Sequence, residues 1–152
     1  SRQVDHALDR LEAHIQEHGP YDVLCGFSQG SIMVTMLTAR ALRRARGGEG
    51  PPPSWRLNLI ISGLPPRCPA QPAPTPFTVT SESRLDFPAV AIMGEHDDLL
   101  PWGERIGEIY TGLHWMTHPG GHEVPKDAEV TKKLAEAIWH KLGFVEGKPV
   151  WD

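Results

Sequence analysis

Cysteine is scarce in this sequence, long hydrophobic runs are absent and neither charge dominates, and each shortage excludes a class of protein. Two cysteines, Cys25 and Cys68, are too few for a disulfide framework, so we expect a reducing, cytoplasmic compartment. No apolar run approaches the roughly 20 residues that cross a bilayer, and no basic-then-apolar leader opens the chain, so we expect neither a membrane span nor a secretory signal. A formal charge of -4 gives no reason to expect nucleic acid as a partner.

The rest of the composition is that of one globular domain. A length of 152 residues suits a single core, and a hydrophobic fraction of 39% with a charged fraction of 22% is ordinary for such a domain. We expect residues 1–142 to form the domain and residues 143–152 to be a C-terminal tail.

Two kinds of apolar pattern alternate along the chain. Helical spacing predicts a first helix that ends at Gly19-Pro20, and further helices over residues 31–44, 102–110 and 126–142. Continuous apolar runs predict strands over residues 21–27, 55–62, 88–93 and 113–117, and we expect loops over residues 64–76 and 77–87. Strands that alternate with helices predict an α/β fold with a mainly parallel sheet and helices on both faces.

Two segments also predict burial. The strand over residues 21–27 lacks polar alternation, so we expect it to be covered on both faces, with Cys25 a buried small hydrophobe. The helix over residues 31–44 is apolar nearly all round and is therefore expected to be largely buried.

The run Gly26-Phe27-Ser28-Gln29-Gly30 has Gly-x-Ser-x-Gly spacing and lies between a predicted strand and a predicted helix. Such a sharp turn lifts the serine hydroxyl out of the sheet and places it near a helix amino end, where free N–H groups favour negative charge. Ser28 is therefore a candidate nucleophile, and the N–H of Gln29 a candidate donor to an oxyanion. The alternative is a glycine-rich turn with an incidental serine.

A nucleophilic serine needs a base, and the base needs an acid that orients it. Glu95, Asp97 and Asp98 follow the third predicted strand and are all candidate acids, although Asp98 lies nearer the next helix and is more readily explained as its cap. His122 follows the fourth predicted strand after two glycines and is the candidate base. A metal cluster that uses His96 and His118 with these residues is the weaker reading, because the serine motif already explains the positions.

Four motifs in order resemble the FSH family of serine hydrolases, which are α/β-hydrolases related to carboxylesterases and thioesterases. The motifs are Gly-Phe-Ser-Gln-Gly, Ile61-Ser62-Gly63, Gly94-x-x-Asp97-x-x-Leu100-Pro101 and Gly120-Gly121-His122-x-Val124-Pro125. The resemblance implies that Ser28 is the nucleophile, Asp97 the acid and His122 the base.

The same resemblance implies an acyl-enzyme mechanism on small-molecule esters or thioesters, with no cofactor and no metal. Phe27, Leu64 and Pro65 lie at or after the ends of predicted strands, and we expect them to contact the substrate.

The sequence departs from the family at its beginning. The family opens with a strand and a Leu-His-Gly-like turn that supplies a second oxyanion donor, whereas this chain opens in the helix before the nucleophile strand. We therefore expect a partial α/β-hydrolase domain with one bare sheet edge, which a partner chain or a missing N-terminal segment would cover. The alternative function is a non-catalytic, hydrolase-derived subunit packed in a larger assembly.

Overall fold

The fold was analysed in a computed structural model that describes residues 2–66 and 84–143. These residues contain four strands, four α-helices and one short 3-10 helix over Glu104–Glu108. In chain order the main elements are α1 (Arg2–His18), β1 (Val23–Phe27), α2 (Gln29–Arg46), β2 (Leu57–Ile61), β3 (Leu85–Gly94), α3 (Leu100–Gly103), β4 (Tyr110–His118) and α4 (Ala128–Lys141).

The strands form one parallel sheet in the order β1-β2-β3-β4. Phe27 lies opposite Ile61, Ile61 opposite Ile92, and Gly94 opposite His118. Because parallel strands end at the same edge, the segments after all four strands meet there, as is usual for sites in open α/β sheets.

Helices cover both faces of this sheet. One face carries Ile60, Ala89 and Ala91, which pack with buried residues of α1, α2 and the 3-10 helix. The other face carries Leu57, Val90 and Ile92, which pack with Leu134 of α4. The side-chain alternation of β2 and β3 therefore divides the core into two layers, and the predicted α/β fold with helices on both faces is confirmed.

Several predicted boundaries are wrong. Residues 85–87 belong to β3 instead of a loop, and the pairing with β4 shifts register between Leu85 and Pro88, where a bulge accommodates a proline that lacks an N–H. The segment predicted as one helix over residues 102–110 contains only the last two residues of α3, followed by the 3-10 helix, and Tyr110 already begins β4. The fourth strand is consequently nine residues long.

The predicted burial of β1 and α2 is also partly wrong. Cys25 is exposed, because β1 has only β2 beside it and forms the edge of the described sheet. On α2, Met33 and Met36 are only half-buried, whereas Thr35 and Thr38 are buried with hydrogen-bond partners. The buried face of α2 is therefore more polar than its overall apolar composition predicts.

The expected loop over residues 64–76 is described only as far as residue 66, where the chain is irregular, and Cys68 lies outside the described residues. The predicted tail lies outside them as well, apart from Gly143. Among the described helices, none combines the length and apolarity that crossing a membrane requires.

Candidate active site

Ser28 occupies a strained turn between β1 and α2. Its backbone angles are φ 50° and ψ -119°, a conformation that a residue with a side chain rarely adopts, and its N–H donates to the carbonyl of Ile61 at 3.0 Å. The turn is tight, since a Cβ on Gly26 would lie 2.6 Å from backbone atoms of Gly30 and Ser31. The Gly-x-Ser-x-Gly run thus forms the strand-to-helix turn that the sequence predicts.

Ser31 stabilises this turn through its side-chain hydrogen bonds and was not identified from the sequence. Its side chain is fully buried, and its hydroxyl donates to the carbonyl of Ser28 at 2.6 Å. The same oxygen accepts the N–H of Leu64 at 3.0 Å. The segment after β2 is therefore tied to the first turn of α2.

The three predicted side chains meet at the carboxyl edge of the sheet. His122 Nε2 lies 3.0 Å from Ser28 Oγ, and His122 Nδ1 lies 2.8 Å from Asp97 Oδ2. The Asp97 side chain is 1% exposed and that of His122 is 35% exposed, so the acid is shielded while the imidazole is open to solvent. The hydroxyl, imidazole and carboxylate form one continuous hydrogen-bonded chain.

The structure also separates the candidate acids. The second oxygen of Asp97, Oδ1, accepts the N–H of Leu99 at 2.9 Å. Asp98 and Glu95 are exposed, and Glu95 accepts instead from the hydroxyl of Thr117 at 3.3 Å. The expectation that Asp98 caps the next helix is wrong, because α3 has no side-chain cap and the Leu99 N–H is taken by Asp97.

The turn that carries His122 is held by the loop after β3. A Cβ on Gly94 would lie 2.2 Å from the carbonyl oxygen of Gly121, so the two loops touch directly. The His96 N–H donates to the carbonyl of Gly120 at 3.0 Å, and His96 Nδ1 lies 2.9 Å from the carbonyl of Pro119. His96 is thus engaged with the backbone, and among residues 2–66 and 84–143 no group of three or more His, Cys, Asp or Glu side chains could hold a metal ion.

Two other contacts at this turn involve Glu123 and were not predicted from the sequence. Ser62 is fully buried with φ 47°, and its hydroxyl donates to the carbonyl of Glu123 at 3.3 Å. A hydrogen bond from Lys126 and its positive charge lower the pKa of Glu123, the residue that follows His122 in the chain. Ser62 belongs to the Ile61-Ser62-Gly63 motif, but the motif alone does not indicate that its hydroxyl contacts the turn that carries His122.

The remaining predicted residues are Phe27, Gln29, Leu64 and Pro65. The exposed ring of Phe27 is tilted against the His122 imidazole, with 5.3 Å between centroids. Gln29 is the first residue of α2, so its N–H precedes the first intrahelical hydrogen bond. Leu64 and Pro65 are half-buried, and Leu64 reaches the site through Ser31.

Comparison with known proteins shows the family of the chain. The family model described as serine hydrolase (FSH1) matches residues 1–134. The hydrolase phiM of a fungal species is 29% identical over 90% of this chain and 66% of its own length. The esterase OVCA2 of Bos taurus is 27% identical over 84% of this chain and 53% of its own length. The chain thus spans between about half and two thirds of these curated relatives.

Solved structures share the fold at low identity. The ClbQ protein from the colibactin NRPS/PKS pathway has a TM-score of 0.61 and 17% identity, and the match covers 91% of this chain and 78% of that one. The type II thioesterase BorB from the borrelidin biosynthetic cluster has a TM-score of 0.57, also at 17% identity, over 93% of this chain and 71% of that one. With a family model that matches most of its length, the chain belongs to the FSH1 family of serine hydrolases.

Proposed function

We propose that this chain cleaves carboxylic esters or thioesters through an acyl-enzyme intermediate. The observation that carries the proposal is the continuous contact from Ser28 Oγ through the His122 ring to Asp97, at 3.0 and 2.8 Å. These are the atoms and the order that serine hydrolysis requires, since the imidazole must reach both the hydroxyl and the carboxylate. The chemistry uses groups of the chain alone and needs no cofactor or metal.

In the proposed first step, Ser28 Oγ attacks the carbonyl carbon while His122 Nε2 accepts the hydroxyl proton. Asp97 accepts a hydrogen bond from Nδ1 and stabilises the imidazolium. The tetrahedral intermediate then collapses, the bond to the alcohol or thiol breaks, and His122 returns the proton to that leaving group. In the second step, water attacks the carbonyl carbon of the acyl-serine while His122 accepts a proton from it. The bond to Ser28 Oγ then breaks, Ser28 Oγ takes the proton from His122, and the carboxylic acid is released.

The negative charge of the intermediate needs a donor close to Ser28. We assign this role to the N–H of Gln29, because it lies at the amino end of the 18-residue helix α2 and has no intrahelical acceptor. One oxyanion donor typically contributes about 100- to 1000-fold in rate. The ring of Phe27 contacts His122, and Leu64 with its neighbour Pro65 is tied to the first turn of α2 through Ser31, so we propose that these three residues contact the acyl group.

The exposed edge of β1 favours a second candidate function, that of a non-catalytic hydrolase-derived subunit within a larger assembly. Labelling with a fluorophosphonate separates the two. We expect a covalent adduct on Ser28, found by mass spectrometry, and none in Ser28→Ala. A matched control is Ser54→Ala, which removes an exposed hydroxyl outside the site and should label as the natural chain does. A folded chain without an adduct at Ser28 would contradict catalysis and support the second function.

A further inference from the structure

We propose that His118 is a positioning residue that holds the turn carrying His122, through a hydrogen bond from the Gly120 N–H to its ring. The proposal rests on the proposed function in one respect, namely that His122 acts as the base. Its structural part, the hydrogen bond itself, can be tested without any activity.

His118 ends β4 and is only 3% exposed. Its Nδ1 accepts the Gly120 N–H at 3.1 Å. The ring packs closely against Gly120: a Cβ on that residue would be 3.0 Å from both Cε1 and Nδ1 of His118. The contact therefore combines a directed hydrogen bond with close packing, two residues before the base.

The hydrogen bond fixes which nitrogen of His118 carries the proton. An N–H can donate only to a nitrogen with a free lone pair, so Nδ1 is unprotonated and the proton of the neutral ring sits on Nε2. Nε2 is buried and has no hydrogen-bond partner within the described part of the chain. A buried donor left unpaired costs about 1–3 kcal/mol. An aliphatic side chain would avoid that cost but would offer Gly120 no acceptor, so the acceptor at Nδ1 is the polar contact that the ring provides.

Both polar groups of Gly120 are held, and from different sides. His118 at the end of β4 takes its N–H, whereas its carbonyl accepts the N–H of His96 at 3.0 Å from the loop that carries Asp97. The orientation of the two peptide groups flanking Gly120 is thereby set against the acid's own loop. His122 lies two residues after Gly120, so loss of the His118 acceptor frees one side of the turn and lets the base move relative to Ser28 and Asp97.

Two substitutions of similar size separate the hydrogen bond from simple packing. In His118→Asn the side-chain oxygen lies two bonds from Cβ, as Nδ1 does, and can accept the Gly120 N–H. In His118→Gln the amide lies three bonds from Cβ, near the position of Nε2, and the acceptor is lost. We expect the Gly120 amide to be protected from hydrogen exchange in the natural chain and in His118→Asn, but not in His118→Gln.

The same two variants also give an expectation for the rate of reaction at Ser28. The rate of Ser28 labelling should stay close to that of the natural chain in His118→Asn and fall about 100-fold in His118→Gln, as a displacement of about 1 Å can cost. Ester hydrolysis should show this loss in kcat with little change in KM, because the substrate contacts are untouched. Equal losses in the two variants, or no loss in His118→Gln, would overturn the positioning role.

A spectroscopic measurement on the natural chain does not depend on whether a variant folds. Nitrogen-15 NMR of the His118 ring should show the proton on Nε2, and a proton on Nδ1 would overturn the proposal. The His122→Ala variant distinguishes the two levels of failure. If it labels as fast as the natural chain, the proposed function is wrong, while the His118 ring and the Gly120 amide still decide whether the turn is held as proposed.

Discussion

At the scale of single residues, the two carboxylate oxygens of Asp97 have different hydrogen-bond partners. Replacing the carboxylate by an amide of the same size therefore alters the contact with His122. Oδ1 accepts the Leu99 N–H at 2.9 Å, and Oδ2 contacts His122 Nδ1 at 2.8 Å. In Asp97→Asn the amide oxygen must stay with the Leu99 N–H, so the amide NH₂ faces His122. His122 then has to accept at Nδ1 and carry its proton on Nε2, where it cannot take the proton of Ser28.

We therefore expect Asp97→Asn to lower kcat by about 10,000-fold, the size of effect seen when a triad histidine is held in the wrong tautomer. Ester hydrolysis or fluorophosphonate labelling measures the loss. Asp98→Asn is the matched control, because it makes the same change on the exposed neighbour and should leave the rate unaltered. Comparable losses in the two variants would contradict the assignment of Asp97.

This contrast also shows what residue-level prediction from sequence can and cannot supply. The motif spacing predicted that Ser28 and His122 would come together, because both follow strands of one parallel sheet. The residues alone did not decide which of Glu95, Asp97 and Asp98 is the acid, since the direction of each side chain depends on the turn after β3. Contacts such as that between Ser62 and Glu123 join segments far apart in the chain and have no local signal.

At the scale of elements, the junction of β1 and α2 makes different demands on the two glycines of the Gly-x-Ser-x-Gly run. A Cβ on Gly26 would lie 2.6 Å from backbone atoms of Gly30 and Ser31, whereas a Cβ on Gly30 would meet nothing within 4 Å. Gly30 is also the second residue of α2, and alanine has a higher helix propensity than glycine.

Gly26→Ala is thus expected to push the strand and helix apart, to lower the free energy of unfolding by about 1–3 kcal/mol as overpacking does, and to abolish labelling of Ser28. Gly30→Ala should leave stability equal or slightly higher and labelling intact. Urea unfolding followed by circular dichroism measures the first quantity, and the fluorophosphonate reaction the second. A destabilised Gly30→Ala together with a tolerated Gly26→Ala would reverse this interpretation of the turn.

Element boundaries were predicted well where a chemical stop exists and poorly where tertiary contacts decide. Gly19 ends α1 within one residue of the prediction, and the Asp127 carboxylate caps α4 by accepting the Val130 N–H at 2.9 Å. Residues 102–110 have no such stop. Their apolar spacing suits a helix, but Tyr110 is drawn into β4, where it pairs with Leu85. Pairing between strands that are distant in sequence prevails over local propensity there.

At the scale of the whole molecule, a buried polar cluster joins one helix to two strands. The Tyr110 hydroxyl on β4 lies 2.8 Å from Thr35 Oγ1 on α2 and accepts from Asn58 Nδ2 on β2 at 3.1 Å. Asn58 Nδ2 also donates to Thr38 Oγ1 at 2.9 Å, and Asn58 Oδ1 accepts from the Trp55 indole at 3.0 Å. Since α2 begins at the Ser28 turn, this cluster fixes the helix against the sheet that carries Asp97 and His122.

Burial raises the pKa of Tyr110 to about 12, although its hydrogen bonds to Thr35 and Asn58 act in the opposite direction. A tyrosine in the unfolded chain titrates near its ordinary value of about 10. The folded state therefore binds its proton more tightly, so this contribution to stability is fully present below about pH 10 and is lost as the pH rises to about 12. At about 1.4 kcal/mol per pKa unit, the loss amounts to roughly 3 kcal/mol.

The natural chain should accordingly lose stability over that pH range relative to Tyr110→Phe, whose free energy of unfolding is lower by about 1 kcal/mol at neutral pH because Asn58 and Thr35 lose a partner. Urea unfolding at a series of pH values measures the difference in the free energy of unfolding between the two proteins. The contributions of the other groups that titrate at high pH cancel in that difference.

Tyr21→Phe removes the other tyrosine of the chain, which is exposed, and leaves Tyr110 as the sole source of tyrosinate absorbance. A difference that stays constant with pH, or tyrosinate that forms near pH 10 in Tyr21→Phe while the chain is still folded, would mean that the hydroxyl is open to water and that α2 is held to the sheet by its apolar contacts instead.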